Sequence, residues 1–208
     1  MIRTYIAKMN QAIWSSAVIV LFLILQVPAM AQQDKSSAGT LNELGAEGKV
    51  LAQRVGTWDV TETVWASPGA SPVTTKGLLA ERVLMGTLLQ EVIRQPGAAA
   101  NKTVQRTDLL SYNRLEGRWG YVSFDTRAPV GLMPAWSRGR GDGRTIELMF
   151  TPFAVPTSGT TTTGQFILME QSIRFEDPDH DVKEQYFTLS DGTGTKWLAH
   201  RYSYARRQ

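Results

Sequence analysis

Few side chains in this sequence are equipped for chemistry. Cysteine is absent, which removes thiolate nucleophiles, Cys-ligated metals and disulfides. The two histidines, His180 and His200, lie in separate segments. Neither has the H-x-x-x-H or H-x-H spacing that would set two rings on one metal. His180 sits in "DPDHD", where Asp177, Asp179 and Asp181 supply too few ligands for a calcium loop, so an Asp-Pro turn is expected. No G-x-S-x-G elbow occurs, and no Ser-His-Asp order can be read. What remains is Glu62, His200, Tyr202, Tyr204 and Arg206. Such a group could form a satisfied polar floor or bind the polar head of a ligand. Through Glu62 or His200 it could also act as a general acid or base.

Those residues are far apart in sequence, so strands must bring them together. After Gly56, short alternating runs are separated by turn signals: "TWDVTETVWA" before "SPGASP", "TLLQEVIRQ" before "PGAAANK", "VKEQYFTLS" before "DGTG". About ten strands at hairpin spacing result, and no helix-period stretch interrupts them, which excludes a doubly wound fold. In a closed up-and-down barrel the last strand runs antiparallel to the first. The start of one then faces the end of the other, placing Trp58 beside Arg206, where a guanidinium can stack on an indole. That register, the one expected, points Trp58, Val60, Glu62 and Val64 inward, with Leu198, His200, Tyr202, Tyr204 and Arg206 facing them; the opposite register would bury Trp197, Ala199, Arg201 and Ala205 instead.

The segment before the strands has its own organisation. Residues 1–31 read as a secretory signal peptide: Arg3 and Lys8, the apolar run "AVIVLFLIL" (Ala17–Leu25), then "PAMA" with small residues at Ala29 and Ala31. The run is too short for a bilayer span, so cleavage near Ala31 and a periplasmic or secreted protein are expected, with no stable membrane span afterwards. The missing cysteine rules out a lipid-anchored precursor. Residues 32–39 read as a disordered tether, and residues 40–208 as one domain. In "TLNELGAEGKVLAQRVG" (Thr40–Gly56), Thr40 and Glu43 fit a capping box, and Leu41, Leu44, Leu51 and Val55 could share a stripe. A short helix is expected there, weakened by Gly45 and Gly48. The formal charge is +3 and falls near +1 without Arg3 and Lys8, so nucleic acid is not an expected partner.

Gly56-Thr57-Trp58, preceded by a short helix and answered by an arginine on the final strand, resembles the lipocalin-like or calycin barrels. Three stretches resemble, more closely, an uncharacterised bacterial lipocalin-like family of unknown function: "LAQRVGTWDVTETVWASPGASPVTTKG" (Leu51–Gly77), "LLSYNRLEGRWGYVSFDT" (Leu109–Thr126) and "DGTGTKWLAHRYSYARR" (Asp191–Arg207). The resemblance implies an all-β, antiparallel up-and-down barrel of about ten strands, and export, with no catalytic residue to carry over. Some haem-binding relatives of the calycin barrels use a histidine on a late strand, where His200 falls. Their glycine-rich opening motif is missing here, so no cofactor and no metal are expected.

The long loop "TRAPVGLMPAWSRGRGDG" (Thr126–Gly143) carries Val130, Leu132, Met133 and Trp136. It reads either as a portal flap over the barrel mouth or as a cover for core residues. The expected ligand contacts in lumen and portal are Glu62, Val64, Trp119, Tyr121, Leu132, Met133, Trp136, His200, Tyr202 and Tyr204. Gly56, Trp58 and Arg206 form the floor. The function expected is binding of a small hydrophobic or amphipathic molecule in the barrel. Two alternatives stand beside it: a barrel enzyme acting on a lipid-like substrate through Glu62 or His200, and a closed barrel that binds a protein partner.

Overall fold

The computed structural model describes residues 43–95, 103–128, 130–156 and 164–208. The expected signal segment, the tether and Thr40 of the capping box lie outside these residues. Helix α1 (Gly45–Ala52) is followed by strands β1 (Gly56–Val64), β2 (Val73–Met85), β3 (Leu88–Arg94), β4 (Val104–Asn113), β5 (Arg118–Asp125) and β6 (Leu132–Trp136). Then come β7 (Thr145–Phe150), β8 (Phe153–Pro156), β9 (Gly164–Phe175), β10 (His180–Leu189) and β11 (Lys196–Arg206). Among the described residues no helix is long and apolar enough to cross a membrane.

Every ring contact is antiparallel, and β11 pairs with β1, so the sheet closes on itself as an up-and-down barrel of ten strand positions. The eleventh segment, β8, does not add a position. β7 pairs with the Glu170–Arg174 half of β9 and β8 with the Gly164–Ile167 half, on the same side. They are one strand line broken at Thr151-Pro152, where proline has no N–H to give a ladder. The barrel wall is weakest beside this break. β6 pairs with β5 over five residues but with β7 only at Ala135 and Trp136, and β8 pairs with β9 alone.

The closing seam has the expected register, with Trp58 opposite Arg206, Glu62 opposite Tyr202 and Val64 opposite His200. One local difference follows from a bulge in β11. Gln185 pairs with His200, but Tyr186 pairs with Leu198, which leaves Ala199 as the extra residue. A bulge shifts the side-chain alternation by one. Trp197 therefore takes the inward position expected for Leu198, and its ring packs edge-on against Phe187 at 5.6 Å.

Helix α1 closes the end of the barrel where β1 begins and β11 ends. It is shorter than expected, starts after Leu44 without a side-chain cap, and leaves Val55 outside the helix and 36% exposed. What holds it is packing: Leu51 is fully buried among Leu89, Leu110 and Trp119. "DPDHD" forms the tight β9–β10 connection, in which the Asp177 carboxylate accepts from the Asp179 N–H and pairs with the His180 ring.

Candidate functional site

The inward alternation of the strands brings charged side chains, as well as apolar ones, into the lumen. Arg54 at the end of α1, Arg82 (β2), Arg106 (β4), Arg127 after β5 and Lys183 (β10) supply five positive charges. Glu62 (β1), Glu91 (β3), Asp108 (β4), Asp125 (β5) and Asp181 (β10) supply five negative ones. All but Arg127 are buried. A buried charge is tolerated only when it is paired and hydrogen-bonded, and here the pairs link into one chain. Arg54 and Arg82 both bind Asp181. Arg82 continues to Glu91 at 2.6 Å, and Lys183 bridges Glu91 and Asp108 at 2.7 and 2.6 Å. Asp108 in turn holds Arg106 at 2.9 Å. Arg106 donates to the Tyr202 and Tyr121 hydroxyls and to Gln185. Tyr202 leads to Arg127, which clamps Glu62 and Asp125.

The electrostatics follow from this pairing. Burial alone would raise the Glu62 pKa, but hydrogen bonds from His200 and Arg127 outweigh it and hold the carboxyl well below its ordinary value of 4.5. Burial opposes ionisation of Asp108 too, and Arg106 and Lys183 reverse it. Burial pushes the Tyr121 hydroxyl up to about 12. Glu62 is therefore a carboxylate that accepts from four groups: Gln105 at 2.9 Å, two Arg127 nitrogens at 2.8 and 3.0 Å, and His200 Nδ1 at 3.2 Å. An ionised carboxylate only accepts, so the His200 proton sits on Nδ1 in this bond.

Below the network, at the α1 end, the barrel is filled. A void of about 30 Å³ remains among the lower luminal charges, the size of one water, and a separate cleft of about 640 Å³ lies between Val50, Gln53, Arg144, Asp177 and Arg206. Above it, at the end where β1 finishes, a cavity of about 340 Å³ opens. Its floor is Arg106, Asp125, Arg127, Gln185 and His200. Its walls are Val64, Ala128, Val130, Met133, Phe153, Val155, Met169 and Phe187. The His200 ring lies flat against Tyr202, centroids 6.1 Å apart and planes 7° apart. With Nδ1 committed to Glu62, Nε2 is its remaining polar atom. Just below the floor, Gln185 donates to Gln171 Oε1, and the buried Gln171 Nε2 has no hydrogen-bond partner among the described residues.

Residues 43–204 match the family described as Protein of unknown function (DUF1579). The chain belongs to the DUF1579 family. Among solved structures it is similar to Rv2717c from M. tuberculosis, at 16% identity over 80% of this chain and 100% of that chain, with a TM-score of 0.49. No match was found among curated proteins.

In this DUF1579 barrel the candidate ligand contacts fall into three groups. Val64, Met133 and His200 line the cavity. Glu62, Tyr121 and Tyr202 stand behind the floor and hold its polar groups in place, while Tyr204 and Trp119 lie away from the cavity. Tyr204 donates to Glu91, and the Trp119 indole donates to the Arg140 carbonyl. Leu132 and Trp136 do not line the cavity. Their segment is strand β6 rather than a free flap, and alternation sends them outward, 72% and 41% exposed, while Met133 turns in. At the closed, α1 end of the barrel, Arg206 lies 4.2 Å over the Trp58 ring and donates to the carbonyls of Gln53, Val55 and Pro178. Gly56 there has φ +131°, and a Cβ would stand 3.1 Å from the Arg206 guanidinium.

Sequence reasoning missed Arg106, Asp125, Arg127 and Gln185 in the floor, and Phe153, Met169 and Phe187 in the wall. A signal was present. Arg106 and Asp108 are two apart, as are Asp125 and Arg127, and Asp181, Lys183 and Gln185 continue at the same interval. Period two puts Arg106 with Asp108, and Asp181 with Lys183 and Gln185, on one face of their strands; Arg127 follows β5 and reaches back. Charged positions at that spacing ordinarily mark the outer face, and only their pairing across the lumen shows otherwise.

Proposed function

We propose that this protein is exported and binds a small apolar or amphipathic molecule in the open end of a lipocalin-like barrel. The observation that carries the reading is the cavity of about 340 Å³, with apolar walls above a polar floor. Its size falls in the range of small-molecule sites, roughly 300–1,000 Å³, and so does its mixture of many apolar and few convergent polar groups. The lower half of the lumen supports a narrower form of the idea. It is packed with paired charges, so the ligand occupies only the upper half. The calycin kinship rests on the Gly56-Thr57-Trp58 opening and its pairing with Arg206. Export rests on residues 1–31.

Native mass spectrometry of the protein purified from its own host tests the binding role. A co-purifying small molecule that is lost in Met169→Trp, a substitution that fills the cavity, is the expected result. A parent protein that stays free of any ligand overturns the reading. N-terminal sequencing of the same sample tests export, with a start near Gln32 expected.

The Glu62–His200 pair favours a second reading, in which His200 is a general base whose ring Glu62 orients. Glu62 itself is not free for proton transfer, since all its bonds come from donors that hold it ionised. Turnover of any bound molecule that survives His200→Phe would exclude this reading.

A further inference from the structure

The polar floor narrows the chemical class of the ligand. Resting on the cavity reading above, the head group that the floor accepts follows from the floor's charges and its spare hydrogen-bonding atoms. Both signs of charge reach the cavity, through Arg106, Arg127 and Asp125, and each is already paired within the chain. The five basic and five acidic groups of the lumen balance. A ligand carboxylate would sit beside Asp125, and a ligand ammonium beside Arg106 and Arg127. Either one would add an uncompensated charge to a charge-balanced, largely buried network.

Two floor groups nonetheless keep hydrogen-bonding capacity that no described residue uses. His200 meets Glu62 through Nδ1, and with its one ring proton there Nε2 offers a lone pair to the cavity. Arg127 Nη1 has two N–H groups and one partner among the described residues, Glu62 Oε2 at 2.8 Å. One acceptor and one donor therefore hang on the same carboxylate at the base of an apolar chamber. A hydroxyl has the matching capacity, since its O–H donates and its oxygen accepts. An ether or ketone oxygen can use only the arginine and leaves the histidine acceptor unused, which costs affinity.

We propose that the cavity takes a neutral aliphatic alcohol, its hydroxyl bound between His200 Nε2 and Arg127 Nη1 and its hydrocarbon body against Val64, Val130, Met133, Phe153, Val155 and Phe187. The chain selects by head group more than by hydrocarbon shape, because the walls offer only apolar contacts.

Isothermal titration of the full chain with decan-1-ol, its methyl ether, decanoate and decylammonium, near neutral pH, tests this. The expected order is alcohol first, ether weaker by about tenfold, the worth of one buried hydrogen bond, and both ions weaker than the ether. In His200→Phe the alcohol should fall to the affinity of the ether while the ether is unchanged. Decanoate or decylammonium binding as tightly as the alcohol overturns the head-group assignment and leaves the cavity reading standing. An alcohol preference that survives His200→Phe overturns the role of His200. Failure of all four compounds to bind overturns both readings.

Discussion

Arg206 lies directly across the β1–β11 seam from Trp58, its guanidinium carbon 4.2 Å from the indole centroid. The same side chain reaches three backbone carbonyls, in the α1–β1 connection and the β9–β10 turn. One residue therefore ties the last strand, the first strand and the helix together. Replacing it with methionine keeps the stem and removes the charge. We expect Arg206→Met to cost about 1–3 kcal/mol, from the lost cation–π contact and the orphaned carbonyls. The urea midpoint should fall without a change in slope.

Lys183 is the bridge of the luminal network, and its removal leaves Glu91 and Asp108 facing each other. Lys183→Met should destabilise the barrel by roughly 3–5 kcal/mol, the usual cost of breaking a buried pair on one side. Neutralising both acids as well, in Lys183→Met/Glu91→Gln/Asp108→Asn, should recover part of that loss. Equilibrium unfolding of the two variants checks the difference. A triple variant no more stable than the single one would mean that charge compensation is not the cause.

Acid should unfold the protein through its luminal carboxylates. Glu62 and Asp108 have folded values below their ordinary 4.5 and 3.8, so their stabilising contribution is complete above those values. It is lost as pH falls below them towards the folded values. Asp181 acts in the opposite sense, because burial raises it, and so offsets part of the slope. Glu62→Gln is expected to be less stable than the parent at neutral pH, with the gap narrowing as pH drops through 4.5. Urea midpoints measured across this range test the sign.

Trp197 reports on the cavity at second hand. Its ring packs against Phe187, which lines the wall, and its indole N–H donates to the Trp65 carbonyl at 3.0 Å. Ligand entry should shift Trp197 emission. In Trp197→Phe that shift should vanish while calorimetric affinity stays within about threefold of the parent, since one edge contact carries little energy.

Much of the architecture can be read from the chain. Turn signals separate the strands, and the seam register follows from matching the start of β1 to the end of β11. The bulge at Ala199 cannot be read, because nothing in "KWLAHRY" marks one residue as extra; the pairing with β10 decides it. Strand β6 is hidden for a related reason. It is five residues long, contains Pro134 and lies among turn formers, so it reads as loop. Read as loop, Leu132 and Trp136 are expected as portal contacts, whereas the strand turns both outward. Of the site, Val64, Met133 and His200 are legible, as each lies on or beside an apolar alternation. The charged floor is not, because charges two apart on a strand ordinarily mark its outer face, and partners such as Lys183 and Glu91 lie on separate strands.

The ionic filling of the lower lumen also shapes how the protein responds to temperature. Apolar surface raises the heat capacity when it is exposed, and polar surface lowers it. Unfolding this barrel exposes ten luminal charges together with the apolar side chains. Its heat-capacity change should therefore be smaller than that of an apolar-cored barrel of equal length, and its stability curve flatter. The desolvation penalty of paired ions also shrinks on warming. An interior that is costly to assemble at room temperature thus loses stability more slowly as the temperature rises.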